Sequence, residues 1–321
     1  MSRLVLLLAF AASVVWAQAA QSPPPAARPT AGTTQTVNSA VGYDDELPCT
    51  RGRKKEDEAR FGKYLVRTYL PIDPRSVIDE GCLQILKSDV VVYSLVSQDF
   101  KIGKNFEGGE RIPLGTDIIG DGNPYAVVAD WSGGAHCCFT MHVFQIGDRF
   151  SEFAQIDAGE SDTAHFVRSR DGTYEFDAYD WGFEYWRTSF EGSPAPRVIL
   201  KFRDGRYRLA TDLMKTPDPS AADFAGMLDD VRTDDAWSSK SAPDCAQPEG
   251  CGVPVILWRY MLDLMYGGHP DLAWKLFYES WPKQQDGQAT FARHFCARLS
   301  DSAYWPELKS TVGACPPAGM H

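Results

Sequence analysis

The sequence predicts an α+β protein, with an antiparallel β domain followed by a small helical unit stapled by disulfides. Three observations carry that prediction. From Leu83 to Ala210, short runs rich in Val, Ile, Tyr and Phe alternate with polar residues, the period-two pattern of half-buried strands. Asp171-Gly172 and Asp204-Gly205 interrupt those runs, and Asp-Gly between alternating segments is the strongest short-range hairpin signal. After Val253 the apolar period lengthens to three and four residues, as in helices that bury one face. The β domain is expected as a sandwich or as blade-like sheets.

Taken in order, the chain opens with Arg3, an apolar run from Leu4 to Trp16, and Ala17-Gln18-Ala19. A basic start, a short apolar stretch and a small-x-small site define a secretory signal over residues 1–19. That apolar run is too short for a comfortable membrane span, and the expected location is periplasmic or secreted, with no integral membrane segment. Residues 20–45 are rich in Pro, Ala and Thr with almost no large apolar groups, and such a leader cannot offset its ordering entropy by burial. The charged stretch 51–60, RGRKKEDEAR, and the following FGKYLVRTYL predict a helical lead-in to the β domain, stopped by Pro71 and Pro74. The mainly antiparallel β domain is assigned to residues 46–215, in which LQILKSDVVVYSLVSQDFKIG forms one or two strands.

PDPSAADFAGMLDDVR predicts a short helix capped near Ser220, and residues 216–252 form a helix and disulfide-loop linker. The helical unit spans 253–315. Leu257, Met261, Leu264 and Met265 share one helix face, Leu272, Leu276 and Phe277 a second, and Phe291, Phe295 and Leu299 a third. A unit of this size is small for a core of its own, so it is expected to pack on the β domain.

The chain carries a formal net charge of -11, one unit more negative once Arg3 leaves with the signal. A nucleic-acid partner demands a basic face, so that class is excluded. Eight cysteines in an exported chain imply disulfides. Connectivity does not follow from sequence alone, but local spacing favours Cys49 with Cys82, Cys245 with Cys251 and Cys296 with Cys315. Cys137 and Cys138 remain, in the run Ser132-Gly-Gly-Ala-His-Cys-Cys138. Either they bond each other or each pairs elsewhere, and in both cases the run is a rigid, oxidised turn. Gly133 and Gly134 supply its backbone freedom, and His136 orients it. Adjacent ligands rarely chelate one zinc, and an oxidising compartment disfavours a free thiolate.

The stretch DIIGDGNPYAVVADWSGGAHCC resembles exported bacterial proteins with FG-GAP- or VCBS-type β repeats that share a Ser-Gly-Gly-Ala-His-Cys-Cys motif. In that family an Asp-rich turn before Pro and a buried strand often binds calcium. The resemblance covers roughly residues 80–210 and implies calcium ligation by Asp117, Asp121 and Asn123. Ile119 and Tyr125 depart from the family's ligand pattern, and calcium needs six to eight oxygens. The adopted expectation is therefore no cofactor and a plain turn whose side chains bond the local backbone.

No Ser/His/Asp order, HExxH or phosphate loop is visible. The sequence points first to a non-enzymatic exported protein whose β domain presents a binding surface for an unknown protein or glycan ligand. The aromatic and acidic run Tyr174–Trp186 is assigned to strand core, with Trp181, Phe183 and Tyr185 on one face. The alternative is a periplasmic hydrolase acting on cell-wall or polysaccharide material, using acids around Asp130, Asp177 and Asp180.

Overall fold

Twelve strands are arranged in three successive meanders, in a computed structural model that describes residues 49–73, 80–108, 110–135, 137–238 and 252–317. The expected signal, the leader, His136 and the Cys245–Cys251 pair lie outside the described residues. The first sheet holds β1 (Arg53–Phe61), β2 (Tyr64–Pro71), β3 (Gly81–Lys87) and β4 (Val90–Ser97). The second holds β5 (Asp99–Ile102), β6 (Tyr125–Trp131), β7 (Phe139–Ile146) and β8 (Phe150–Gly159). The third holds β9 (His165–Arg168), β10 (Tyr174–Tyr179), β11 (Arg197–Arg203) and β12 (Arg206–Leu209). All the strand pairs are antiparallel and each strand lies beside its sequence neighbour within the sheet, so every connection inside a sheet is a hairpin-type return. With the helices below, the protein is α+β.

The charged lead-in is a hairpin and not a helix. β1 and β2 meet at the two-residue turn Gly62–Lys63, where Phe61 pairs with Tyr64 and Gly62 has φ +54°, the left-handed region such turns need. β1 is an edge strand. Its charges serve cross-strand and neighbouring-strand pairs, Glu58 to Arg67 at 3.2 Å and Glu56 to Lys101 at 2.9 Å, and charged edges also resist unwanted pairing. The run after Leu83 divides into β3, β4 and β5, with Ser88 and Asp89 both at positive φ in the first turn.

The second sheet is the middle layer. Along β6, Tyr125, Val127 and Ala129 belong to the cluster shared with the third sheet and the helices, while Ala126 and Val128 belong to the cluster shared with the first sheet. Burial on both faces explains why Tyr-Ala-Val-Val-Ala reads as a continuous apolar run. Val127 and Val128 are 2% and 0% exposed, and each contributes about 1.5–3 kcal/mol by burial.

After β12 come α1 (Thr211–Met214), α2 (Ala221–Thr233), α3 (Val255–Tyr266), α4 (Pro270–Ser280), α5 (Gln288–Ser300) and α6 (Trp305–Val312). Ser220 caps α2 in a reciprocal capping box with Asp223. The apolar faces named above are buried, save Leu272, which is half-buried, and they share one core with the third sheet. Cys296 bonds Cys315, and Cys49 bonds Cys82.

The segment after β10 is not strand. Tyr185 and Arg187 adopt φ +53° and +56°, which breaks the alternation, so Phe183 is buried while Tyr185 is 59% exposed. Phe183 and Trp186 instead point into the helical unit, Trp186 against Trp258 and both against Phe295. Asp180 locks this arrangement. It is 6% exposed and accepts from Tyr266 Oη and Ser302 Oγ at 2.5 Å each and from the Gly182 N–H at 2.8 Å. Burial, followed by the adjacent Asp180 charge, pushes the Tyr266 phenol well above its ordinary value. Asp180→Ala leaves those donors unpaired and is expected to cost roughly 3 kcal/mol in urea unfolding, with Asp180→Asn losing less because an acceptor remains; equal losses in the two variants would contradict this role.

Candidate functional site

A cleft of about 390 Å³ opens between the second and third sheets, within the size range of small-molecule sites. Its floor is apolar, made by Ile112, Val127, Met141 and Phe166, all of them core residues. One wall is the excursion after β5. Gly103 starts it at φ +72°, and a Cβ there would lie 2.4 Å from the Ile112 carbonyl oxygen, so only glycine permits the turn. The other wall is β9 with Tyr174 of β10.

The rim carries Lys104, Arg111, His165 and Arg168, against the single carboxylate of Glu110. Arg111 is held by Asp57 at 2.9 Å. The side chains of Lys104 and Arg168 have no ion pair among the described residues. The Thr163 carbonyl accepts from Asn105 Nδ2 and from His165 Nδ1, both at 2.8 Å. A carbonyl only accepts, so His165 carries a proton on Nδ1 and leaves Nε2 for other partners. Asn105 is 7% exposed, and its Oδ1, like Asp130 Oδ1 and several other buried polar atoms, has no hydrogen-bond partner among the described residues.

The residues singled out in the sequence fall elsewhere. Ser132–Ala135, Cys137 and Cys138 belong to the loop of the β6–β7 hairpin. Ser132 N–H donates to the Cys138 carbonyl at 3.1 Å, Cys138 N–H donates to Ser132 Oγ at 3.2 Å, and Trp131 Nε1 donates to the Cys137 carbonyl at 3.3 Å. Cys137 is bonded to Cys138. Gly133 has φ +92°, and a Cβ on Gly134 would lie 2.2 Å from the Cys137 carbonyl oxygen; both glycines are required. Neither sulfur is a thiol here, and labelling of the native, non-reduced protein is expected to find no free thiol at Cys137 or Cys138. One fast-reacting thiol at either position would point to cysteine chemistry.

The carboxylates of the Asp-rich turn are filled by local donors. Asp117 accepts from the N–H groups of Gly120, Asp121 and Gly122, at 2.7, 3.2 and 2.8 Å. Asp121 accepts from Asn123 N–H and Nδ2 and from Tyr125 Oη. Burial opposes the Asp121 charge, yet those donors keep its pKa below the usual carboxylate value. Tyr125, which departs from the family's ligand pattern, is thus a donor to the turn. Among the described residues, no group of three or more His, Cys, Asp or Glu is arranged to hold a metal ion.

The three acids of the hydrolase reading serve separate networks. Asp180 joins the helices to the sheets, as above. Asp177 pairs with Arg197 across β10 and β11, at 2.5 Å. Asp130 lies 3.3 Å from His142 Nε2, whose Nδ1 meets Glu152 at 2.8 Å. His142 is 4% exposed. Burial disfavours its charge, but the Asp130 and Glu152 carboxylates outweigh burial and hold its pKa above the ordinary histidine value. This cluster faces the first sheet, where Tyr93 Oη donates to Glu152 at 3.4 Å.

A further acidic pair, absent from the sequence reading, is Glu160 with Glu184. Burial and then the Glu184 charge raise Glu160 to about 7. An acid whose pKa is raised by folding from 4.5 binds more protons folded than unfolded between about pH 4.5 and 7, so stability falls as pH rises through that window. Glu160→Gln is therefore expected to melt higher than wild type at pH 8 and at the same temperature near pH 4.5; the same offset at both values would refute the pairing.

The cleft escaped the sequence because its residues come from separate stretches. The compositional signal was Lys104 and Arg111 flanking the glycines of Phe106–Arg111.

No protein-family model matches the chain, and no solved structure matches it. A probable thylakoid lumen protein of Synechocystis sp. is 33% identical over an alignment of 116 residues that covers 33% of this chain. The chain spans about a third of that relative, 34% of its length. No helix among the described residues is long and apolar enough to cross a membrane.

Proposed function

We propose that the chain is an exported, non-enzymatic protein that binds a ligand through its β domain, in the periplasm or outside the cell. The observation that carries this reading is the cleft, a concave site with an apolar floor and a polar rim. Export is supported by the tripartite N-terminus and by a relative named as a lumen protein. The bonded Cys137 and Cys138, and the locally satisfied Asp117 and Asp121, favour structural roles for the sequence motifs over chemistry. The resemblance to FG-GAP- or VCBS-type proteins stands as part of this proposal.

Titration with N-phenyl-1-naphthylamine, a neutral apolar fluorophore, tests the site. The mature protein is expected to bind it, and Val167→Trp to block binding, since Val167 lines the cleft and is 40% exposed. Binding that is absent, or indifferent to Val167→Trp, would sink the cleft as the site. Hydrolysis of cell-wall or polysaccharide material is the second reading. Its support is the Glu160–Glu184 pair, in which burial and then the Glu184 charge raise Glu160 to about 7, toward the range a general acid uses. Glycan cleavage abolished by Glu160→Gln would establish it in place of the first.

A further inference from the structure

Resting on the binding reading above, we propose that the cleft takes a small organic anion with an apolar body, its negative group held by Arg168 and Lys104. The chain as a whole is acidic, with a formal net charge of -11, so a rim of three cations against one carboxylate is a local inversion of its surface. Arg111 is already engaged by Asp57, but Lys104 and Arg168 have no ion pair among the described residues. Unpaired cations grouped on the wall of a concave site focus the field there and attract anions. The guanidinium of Arg168 adds a planar fork matched to carboxylate, sulfonate or phosphate oxygens.

The floor decides against a purely inorganic anion. Ile112, Val127, Met141 and Phe166 offer carbon, not donors, and desolvating a fully hydrated ion over them would be unfavourable. An apolar body on the ligand converts that floor into a gain.

The test uses the mature full-length protein and two probes of similar shape, 8-anilinonaphthalene-1-sulfonate and the neutral N-phenyl-1-naphthylamine. Wild type is expected to bind the sulfonate about tenfold more tightly, one unpaired cation contact supplying that much. Arg168→Gln and Lys104→Gln are each expected to weaken the sulfonate about fivefold and leave the neutral probe unchanged. Added salt is expected to do the same. Arg168→Glu, on an exposed strand position, is expected to abolish sulfonate binding and spare the neutral probe, so it reports even where Val167→Trp fails to fold. If the neutral probe binds and Val167→Trp blocks it, but Arg168→Gln and Arg168→Glu leave the sulfonate unchanged, the anion preference is wrong and the binding cleft stands. If neither probe responds to Val167→Trp or to Arg168→Glu, the cleft itself is wrong.

Discussion

The constraint on which the structure depends is that its middle sheet buries both faces. Four strands that hide two apolar faces need a layer on each side. The first sheet covers one face through Tyr64, Val66, Leu83 and Ile85. The third sheet and the helices cover the other. The alternation along β6 and β7 does this with one residue for each side in turn, so a shift of register by one residue would exchange the two cores. The placement of the polar groups follows. His142 and Asp130 sit on the face toward the first sheet, while the cleft opens on the opposite face, over Val127 and Met141. The two features share strands but not sides.

The helical unit is held by a different principle. It does not form a separate body, because its buried faces continue the core of the third sheet. Apolar burial is non-directional and leaves the angle of docking open. Direction comes from Asp180, one carboxylate that binds the end of α3 and the turn before α6 at once, and from the aromatic segment after β10. Phe183 and Trp186 enter the helices because Tyr185 and Arg187 turn the chain out of strand geometry. Orientation and stability are thus divided between polar and apolar contacts.

Much of the architecture was legible because it rests on local rules. The Asp-Gly hairpins at 171–172 and 204–205, the Ser220 cap and the three apolar helix faces each follow from neighbours in sequence. The lead-in was misread for an equally physical reason. Lys54 to Glu58 has the charge spacing of a solvated helix, and an edge strand has much the same composition, since both keep their charges in water. The deciding signal was Gly62, a turn former between Phe61 and Tyr64, reinforced by the β-branched and aromatic content of β2. The strand expected at Trp181–Tyr185 failed where non-glycine residues took positive φ, which composition does not announce.

The candidate site was the least legible part, and that follows from how it is built. Asp117, Asp121, Cys137 and Cys138 stood out because their chemistry is concentrated in a few adjacent positions. Concentration of that kind lets neighbours satisfy each other: Asp117 takes three backbone N–H groups of its own turn, and Cys137 takes Cys138. A group satisfied locally has little capacity left for a ligand. The cleft is the reverse case. Lys104, Asn105, His165 and Arg168 are individually unremarkable in sequence, and the fold brings them together around a floor contributed by other strands. In this protein the conspicuous motifs shape the turns, and the candidate site is assembled from residues that lie far apart in sequence.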